Sequence, residues 1–234
     1  MRLAQGLKIQ NTVSGAFDLN SVSGLQLWAK NATDVTLNGG NVSQWNDQSG
    51  NSNHLTQATA SLQPAYSAGE VDFDGTDDKL GFTQLELNEF SIFMVINLDA
   101  ISSECLLGDA ASANYMFRLG HTAADKVRFR AGGGGAGQNS DFTLTSAIPT
   151  EQKILLSIVR DSADTTVVRQ DSTQIGITGA VSTANAFVIN QICAQQASTT
   201  MLDGKVYEMA VYNRNLTGSD LTNVENDIKS RNGI

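Results

Sequence analysis

Short apolar or alternating segments recur along this chain at intervals of roughly 8–15 residues, with Gly, Asn, Asp or Ser clusters between them. Nothing else constrains the fold as strongly. A short segment with one apolar face must bury that face against another segment, so many of them in succession require layered sheets. Phe90–Leu98 (FSIFMVINL) is nearly continuous apolar, as a central strand covered on both faces should be. Leu25–Ala29 (LQLWA) alternates like a half-buried strand and places Trp28 in the core. Tyr115–Leu119, Lys126–Arg130, Phe142–Thr145, Ile154–Val159, Thr165–Gln170 and Phe187–Ile192 continue the rhythm. In Val206–Tyr212, alternation sets Val206, Glu208, Ala210 and Tyr212 opposite Tyr207, Met209 and Val211. No helix-length pattern interrupts these strands. The expectation is an all-β chain, an antiparallel β-sandwich of about a dozen strands arranged as a jelly roll.

Composition agrees and removes several function classes. Charged residues make up 17% of the 234, below the ordinary ~25%, while 41% are hydrophobic and 21 are Gly. Short polar side chains suit turns and strand faces better than long helices. The net charge of −9, with no run of Lys or Arg, argues against nucleic acid as a partner. The opening MRLAQGLKIQ lacks the apolar core of a signal peptide, and no stretch approaches a membrane span. Synthesis in the cytoplasm, away from membranes, is the expectation. Cys105 and Cys193 both sit in apolar strand contexts and read as free buried thiols, with a single disulfide as the alternative. The sequons at Asn31, Asn41 and Asn215 are read as chance in a chain rich in Asn and Thr.

Two further landmarks stand out. The stretch Trp45–Leu80 holds two turn-rich clusters, Asn46–Asn53 and Asp74–Asp78, around a spacer and a short strand at Glu70–Phe73. Near the C-terminus a helix is well specified. Thr217 is its N-cap, Asp220 sits near the positive end of its dipole, and Leu216 can staple onto Leu221. Leu221, Val224 and Ile228 share one face, and Asn232-Gly233 stops the helix. Asn31–Asn41 reads as a polar loop and residues 131–140 as a mobile glycine-rich loop tip.

The run W-N-D-x-S-G-N-x-N-H followed by F-D-G-T-D-D-x-L resembles the front half of laminin-G-like domains in the concanavalin A-like lectin and glucanase superfamily. The strand, N-R-x-L and amphipathic helix at the C-terminus resemble their closing segment. The resemblance covers residues 25–82 and 201–233, and the middle matches in strand rhythm alone. It implies one sandwich domain over residues 25–234, with residues 1–24 serving as a first strand or an attachment arm.

Asp47, Ser49, Asn51 and Asn53 alternate like the opening of a calcium loop, but Ala58 stands where its closing Glu belongs. Asp74, Asp77 and Asp78 form a second oxygen-rich turn. The resemblance raises calcium as a cofactor at these turns, against the alternative that Asx side chains bond their own backbone. Glu70, Asp72 and Asp74 repeat the spacing of the glucanase E-x-D-x-E strand, and retaining hydrolysis needs two carboxyl groups about 5 Å apart. The last acid is shortened to Asp, F-D-G is the non-catalytic signature of the laminin-G-like branch, and no aromatic cluster surrounds the strand. A non-enzyme is therefore expected. His54 and His121 lack ligand spacing, and His54 reads as a hydrogen-bonded structural residue. Tyr66, Asn114 and Tyr115 are the loop candidates for sugar contact.

Three functions follow in order of expectation. The first is a structural or decoration component of a virus particle, a bacteriophage head or tail protein that contacts other virion proteins and copies of itself. It rests on resemblance to stand-alone laminin-G-like domains without secretion signals. The second is a calcium-assisted carbohydrate-binding lectin module. The third is a glycan hydrolase using Glu70 and Asp72.

Overall fold

The computed structural model describes residues 17–132, 139–178, 185–196 and 200–234. The first sixteen residues of the expected arm, and the glycine-rich tip at 133–138, lie outside the described residues. Seventeen strands and one α-helix are found among the described residues. The first nine strands are β1 (Leu25–Ala29), β2 (Val35–Asn38), β3 (Asn41–Trp45), β4 (Leu55–Thr56), β5 (Ala65–Ser67), β6 (Glu70–Asp74), β7 (Leu80–Leu87), β8 (Phe90–Leu98) and β9 (Glu104–Gly108). Then come β10 (Tyr115–Leu119), β11 (Lys126–Ala131), β12 (Asn139–Thr143), β13 (Ile154–Arg160), β14 (Thr166–Gln170), β15 (Thr173–Ile177), β16 (Phe187–Ile192), β17 (Asp203–Tyr212) and the helix α1 (Gly218–Asn232).

Antiparallel pairing builds two layers. In the first, β17, β8, β13, β14 and β15 run side by side. The free edge of β17 is shared: β6 pairs with its first half and β1 with its second. In the second layer the order is β2, β3, β4, β7, β16, β9, β10, β11, β12. β5 joins the layers at one corner, pairing with β6 and, through Ala65 opposite Asn41, with β3. The result is an antiparallel β-sandwich that nearly closes into a barrel, with one C-terminal helix.

The two layers enclose the main core. β8 contributes Phe90, Ile92, Met94 and Ile96, and β13 contributes Ile154, Leu156 and Ile158. Trp45, Phe117, Phe129 and Phe187 face them from the second layer, with the Phe129 and Phe187 rings edge-to-face at 5.0 Å, and Phe73 of β6 joins the same core. A second cluster lies on the other side of the first layer. There Phe93, Val95, Leu155, Ala210 and Tyr212 are covered by Val224 and Ile228 of α1, by Trp28, and by Leu19 and Val22. β8 is thus covered on both faces, which is why its sequence hardly alternates. The described part of residues 1–24 begins with a 3-10 turn at Leu19–Ser21, and the Leu19 carbonyl accepts the Tyr212 hydroxyl at 3.1 Å.

The helix forms where its sequence signals place it. Gly233 ends it in the left-handed region at φ 71°, and Lys229 O accepts the Gly233 N–H. Thr217 takes the N-cap position without a side-chain bond, and Asp220 is ion-paired with Arg214.

Several expectations need correction. Asn31–Asn41 contains β2, which turns through Gly39-Gly40 into β3 with Asn38 opposite Asn41. The strand expected at Phe142–Thr145 is β12, Asn139–Thr143, because its register is set by β11. Alternation along β17 breaks at a bulge between Val206 and Glu208. Val206, Met209 and Val211 therefore face the main core, while Tyr207, Ala210 and Tyr212 face the helix. The dozen strands expected become seventeen because short pairings such as β4 and β5 carry little apolar pattern. Cys105 and Cys193 are free and buried, and burial pushes the Cys105 thiol up to about 12. Among the described residues, no helix is long and apolar enough to cross a membrane.

Candidate functional site

The outer face of the second layer carries the candidate site. Trp45, Val42 and Leu55 turn inward, so the residues between them turn out. A bulge between Thr36 and Leu37 shifts the register so that Ser43 and Gln44 lie between two inward residues of β3, Val42 and Trp45. Thr36, Asn38, Ser43, Gln44, Thr56 and Gln57, with Ala58 and Gln63, line an open groove of about 390 Å³. Its amides hold one another. Asn38 donates to Gln63 Oε1 at 3.2 Å, Gln63 donates to the Gln57 carbonyl at 2.7 Å, and Ser43 donates to the Thr36 carbonyl at 2.9 Å. Each side-chain amide can make up to four hydrogen bonds, so these contacts fix the groups while leaving capacity for a ligand.

A row of register partners continues from the groove across the layer. Gln44 faces Thr56, Thr56 faces Gly81, Gly81 faces Gln191 and Gln191 faces Gly108. The row then passes under a crossing segment. A Cβ at Gly108 would lie 2.5 Å from the Ala194 carbonyl oxygen, so the backbone of Ala194 and Gln195 rests directly on that glycine. The groove thus occupies one half of the face.

Sequence reasoning missed the groove because Asn31–Asn41 read as loop. The available signal was the alternation of Val35 and Leu37 with Thr36 and Asn38, ended by a Gly-Gly pair that suits a two-residue hairpin. The sugar-contact candidates fall elsewhere. Tyr66 is in strand β5, its hydroxyl donates to the Ala32 carbonyl at 3.0 Å, and its ring packs against the main core. Tyr115 opens β10 and also packs against the core, while the carbonyl of neighbouring Asn114 accepts the Gly132 N–H. They are strand and strand-end residues rather than loop tips. β5 adjoins β3 at the corner, and β3, β4, β7, β16 and β9 separate it from β10, so the two tyrosines do not share one site.

The two acidic turns differ. Asp47 Oδ1 accepts from the Trp28 and Ser49 N–H groups, and Oδ2 from Asn53 N–H and the Ser49 hydroxyl, at 2.7–2.9 Å. Asn51 and Asn53 donate their amides to carbonyls of β1, and His54 Nδ1 accepts the Asp47 N–H at 3.1 Å. This turn is a brace that ties the chain after Trp45 to β1. In the second turn, carboxylate oxygens of Asp74, Asp77 and Asp78 lie within 4.8 Å of one another. Asp74 Oδ1 accepts from Thr76 and Asp77 N–H, and Asp78 Oδ2 accepts the Asp74 N–H. Burial, with the Asp74 charge beside it, pushes the Asp78 carboxyl up to about 6.

The acids of β6 lie on the outer side of the first layer, away from the groove, since Val71 and Phe73 point inward. Glu70 accepts the Tyr207 hydroxyl at 2.9 Å, and burial together with that bond raises the Tyr207 phenol to about 12. Asp72 lies 3.7 Å from Lys205 Nζ, which sits 3.0 Å from Asp99. Each acid therefore has a separate partner.

The sandwich is shared with carbohydrate-active proteins. Trypanosoma rangeli sialidase matches with a TM-score of 0.61 at 13% identity, over 89% of this chain and 33% of that one. Domain 4 of AbnA, a GH43 extracellular arabinanase from Geobacillus stearothermophilus in complex with arabinotriose, matches with a TM-score of 0.60 at 14% identity. That match covers 88% of this chain and 97% of the domain. A heptameric SAP-like pentraxin from Limulus polyphemus matches with a TM-score of 0.50 at 13% identity, over 63% of this chain and 77% of that one. No protein-family model matches the chain, and no curated protein does. The chain spans about a third of the length of the sialidase chains. At these identities the likeness is one of fold, and it is compatible with a concanavalin A-like sandwich.

Proposed function

We propose that this chain is a carbohydrate-binding β-sandwich module of the laminin-G-like type, and that the groove of β2, β3 and β4 is its saccharide site. The observation that carries the reading is the pre-ordered set of hydroxyl and amide groups at Thr36, Asn38, Ser43, Gln44, Thr56, Gln57 and Gln63. Such groups match the alternating donors and acceptors of a sugar and reject apolar ligands, which would strand them without partners. Support comes from the matching arabinanase domain, which is seen with arabinotriose bound. The groove is open and lacks an aromatic platform, so affinity should be modest, with Kd on the order of 0.1–1 mM. A screen of neutral oligosaccharides by calorimetry tests this. Gln44→Ala and Thr56→Ala should each weaken binding about tenfold while leaving the melting temperature within a few degrees. Absence of saturable binding, or binding indifferent to both substitutions, overturns the assignment.

Calcium belongs to the same reading at Asp74, Asp77 and Asp78. The residues fit a hard cation in part: three carboxylates converge within 4.8 Å of one another, and burial first, with the Asp74 charge second, raises the Asp78 carboxyl. The role on a virus particle is a separate proposal, drawn from the resemblance to laminin-G-like domains of that kind. Recovery of the chain solely from particle-free fractions of its source would overturn it.

A further inference from the structure

The other half of the same outer face holds an unbalanced group of arginines. β11 sends Val127, Phe129 and Ala131 inward and leaves Lys126, Arg128 and Arg130 on the outside. The register sets Arg118 of β10 directly opposite Arg128, and sets Asp141 and Asn139 of β12 opposite Arg128 and Arg130. Like charges placed directly opposite across an antiparallel pair destabilise it. Neutralisation here is incomplete. Asp141 forks onto Arg128 at 2.7 and 2.6 Å, and His121 lies 3.9 Å from the same carboxylate. Lys126 has its neighbour Asp125 at 3.8 Å. Arg130 donates to neutral acceptors, Asn139 Oδ1 and the Ala113 carbonyl. Arg118 reaches Thr200 Oγ1 at 3.4 Å, and its Nε is buried without a hydrogen-bond partner among the described residues.

This arrangement is costly in a chain of net charge −9, which has acids to spare for pairing. Burial and the neighbouring guanidiniums together pull Arg118 and Arg130 below the ordinary arginine range. Residues that break a local rule without a compensating contact are where function is expected. A guanidinium presents a planar fork that matches a carboxylate with two parallel hydrogen bonds.

We propose that Arg118, Arg128 and Arg130 bind the carboxylate group of an acidic saccharide, as a site distinct from the neutral groove. The choice of a saccharide rests on the carbohydrate-binding reading. The segment at Ala194 and Gln195 that crosses Gly108 separates the two sites, so a chain of several sugar units would be needed to touch both.

The experiment is calorimetric titration of the whole chain with an oligogalacturonate, a neutral galacto-oligosaccharide of equal length, and polyglutamate. Wild type is compared with Arg118→Gln, Arg118→Lys and Arg130→Gln, each checked by thermal melting. The acidic oligosaccharide should bind about tenfold more tightly than the neutral one, and the advantage should shrink as salt rises. It should vanish in both Gln variants and fall in Arg118→Lys, which keeps the charge and loses the fork. Melting temperature should hold or rise in Arg118→Gln, because a repulsion is removed. Equal binding of the two oligosaccharides overturns the arginine site and leaves the groove standing. Failure of both oligosaccharides to bind removes both readings, and polyglutamate binding as tightly as the acidic sugar overturns the choice of a saccharide.

Discussion

Glu208 shows how much a single side chain settles here. It sits in β17 at 1% exposure, accepts the Trp28 indole N–H at 2.7 Å and the Asn232 amide at 2.6 Å, and is forked by Arg231. It thus ties β1, β17 and the end of α1 together through one carboxylate. Removing one member of a buried ion pair leaves the other uncompensated, so Glu208→Ala should cost about 3–5 kcal/mol in urea denaturation. A loss under 1 kcal/mol would show that the network is not what docks the helix. Asp78 has the opposite sign. Its folded carboxyl, at about 6, lies above the ordinary value of 3.8, so the folded state holds the proton more tightly than the unfolded one. Its contribution is therefore favourable below pH 4 and is lost as pH rises through the interval from about 4 to 6. Asp78→Asn should flatten that interval and stabilise the protein at pH 7 by no more than about 3 kcal/mol. Calcium should raise the melting temperature of wild type at pH 7 and leave this variant unmoved. A melting temperature identical in calcium and in chelator counts against the ion.

At the level of elements, β17 is the strand on which the layers depend. It pairs with β8 along its length and with β6 and β1 on its other edge. The bulge after Val206 lets it serve both halves, feeding the main core first and the helix side afterwards. Gly204 begins this course at φ 144°, and a Cβ there would lie 2.4 Å from the Asn97 carbonyl oxygen. Both the conformation and the backbone clash exclude other residues. Gly204→Ala should separate β17 from β8 locally and lower the melting temperature by roughly 4–8 °C, the scale of about 2 kcal/mol in a domain near this size. The helix makes a second test. Ile228 is fully buried against Phe93, Val95 and Leu155, so Ile228→Ala should cost about 2–4 kcal/mol. Arg169 and Ser157 anchor the same helix through the buried Glu225.

For the molecule as a whole, the two cores share β8, β13 and β17, so neither can open without exposing the other. Calorimetry should record one unfolding transition over the described fold, with calorimetric and van't Hoff enthalpies equal within about 10%. Two resolved transitions would mean that the helix side melts independently. The sandwich also explains why its outer face is available for binding. β3, β10 and β11 of the second layer bury one side, and the pleat leaves alternate side chains partly exposed, while β9 is buried throughout beneath the crossing segment.

Local pattern alone determined the strand class, most strand positions from Leu25 to Tyr212, the helix and its Gly233 stop. Each depends on residues within a few positions of one another, where periodicity and capping act directly. Tertiary pairing decided the rest. The bulge in β17 reversed half of its facing, and Glu208 and Glu225 were buried against Arg231 and Arg169. Tyr66 and Tyr115 were placed far apart, while Thr36, Gln44 and Thr56 were drawn into one groove and Arg118 was set against Arg128. Those groupings join residues separated along the chain, and register between strands arises from the packing of the complete core rather than from any one segment.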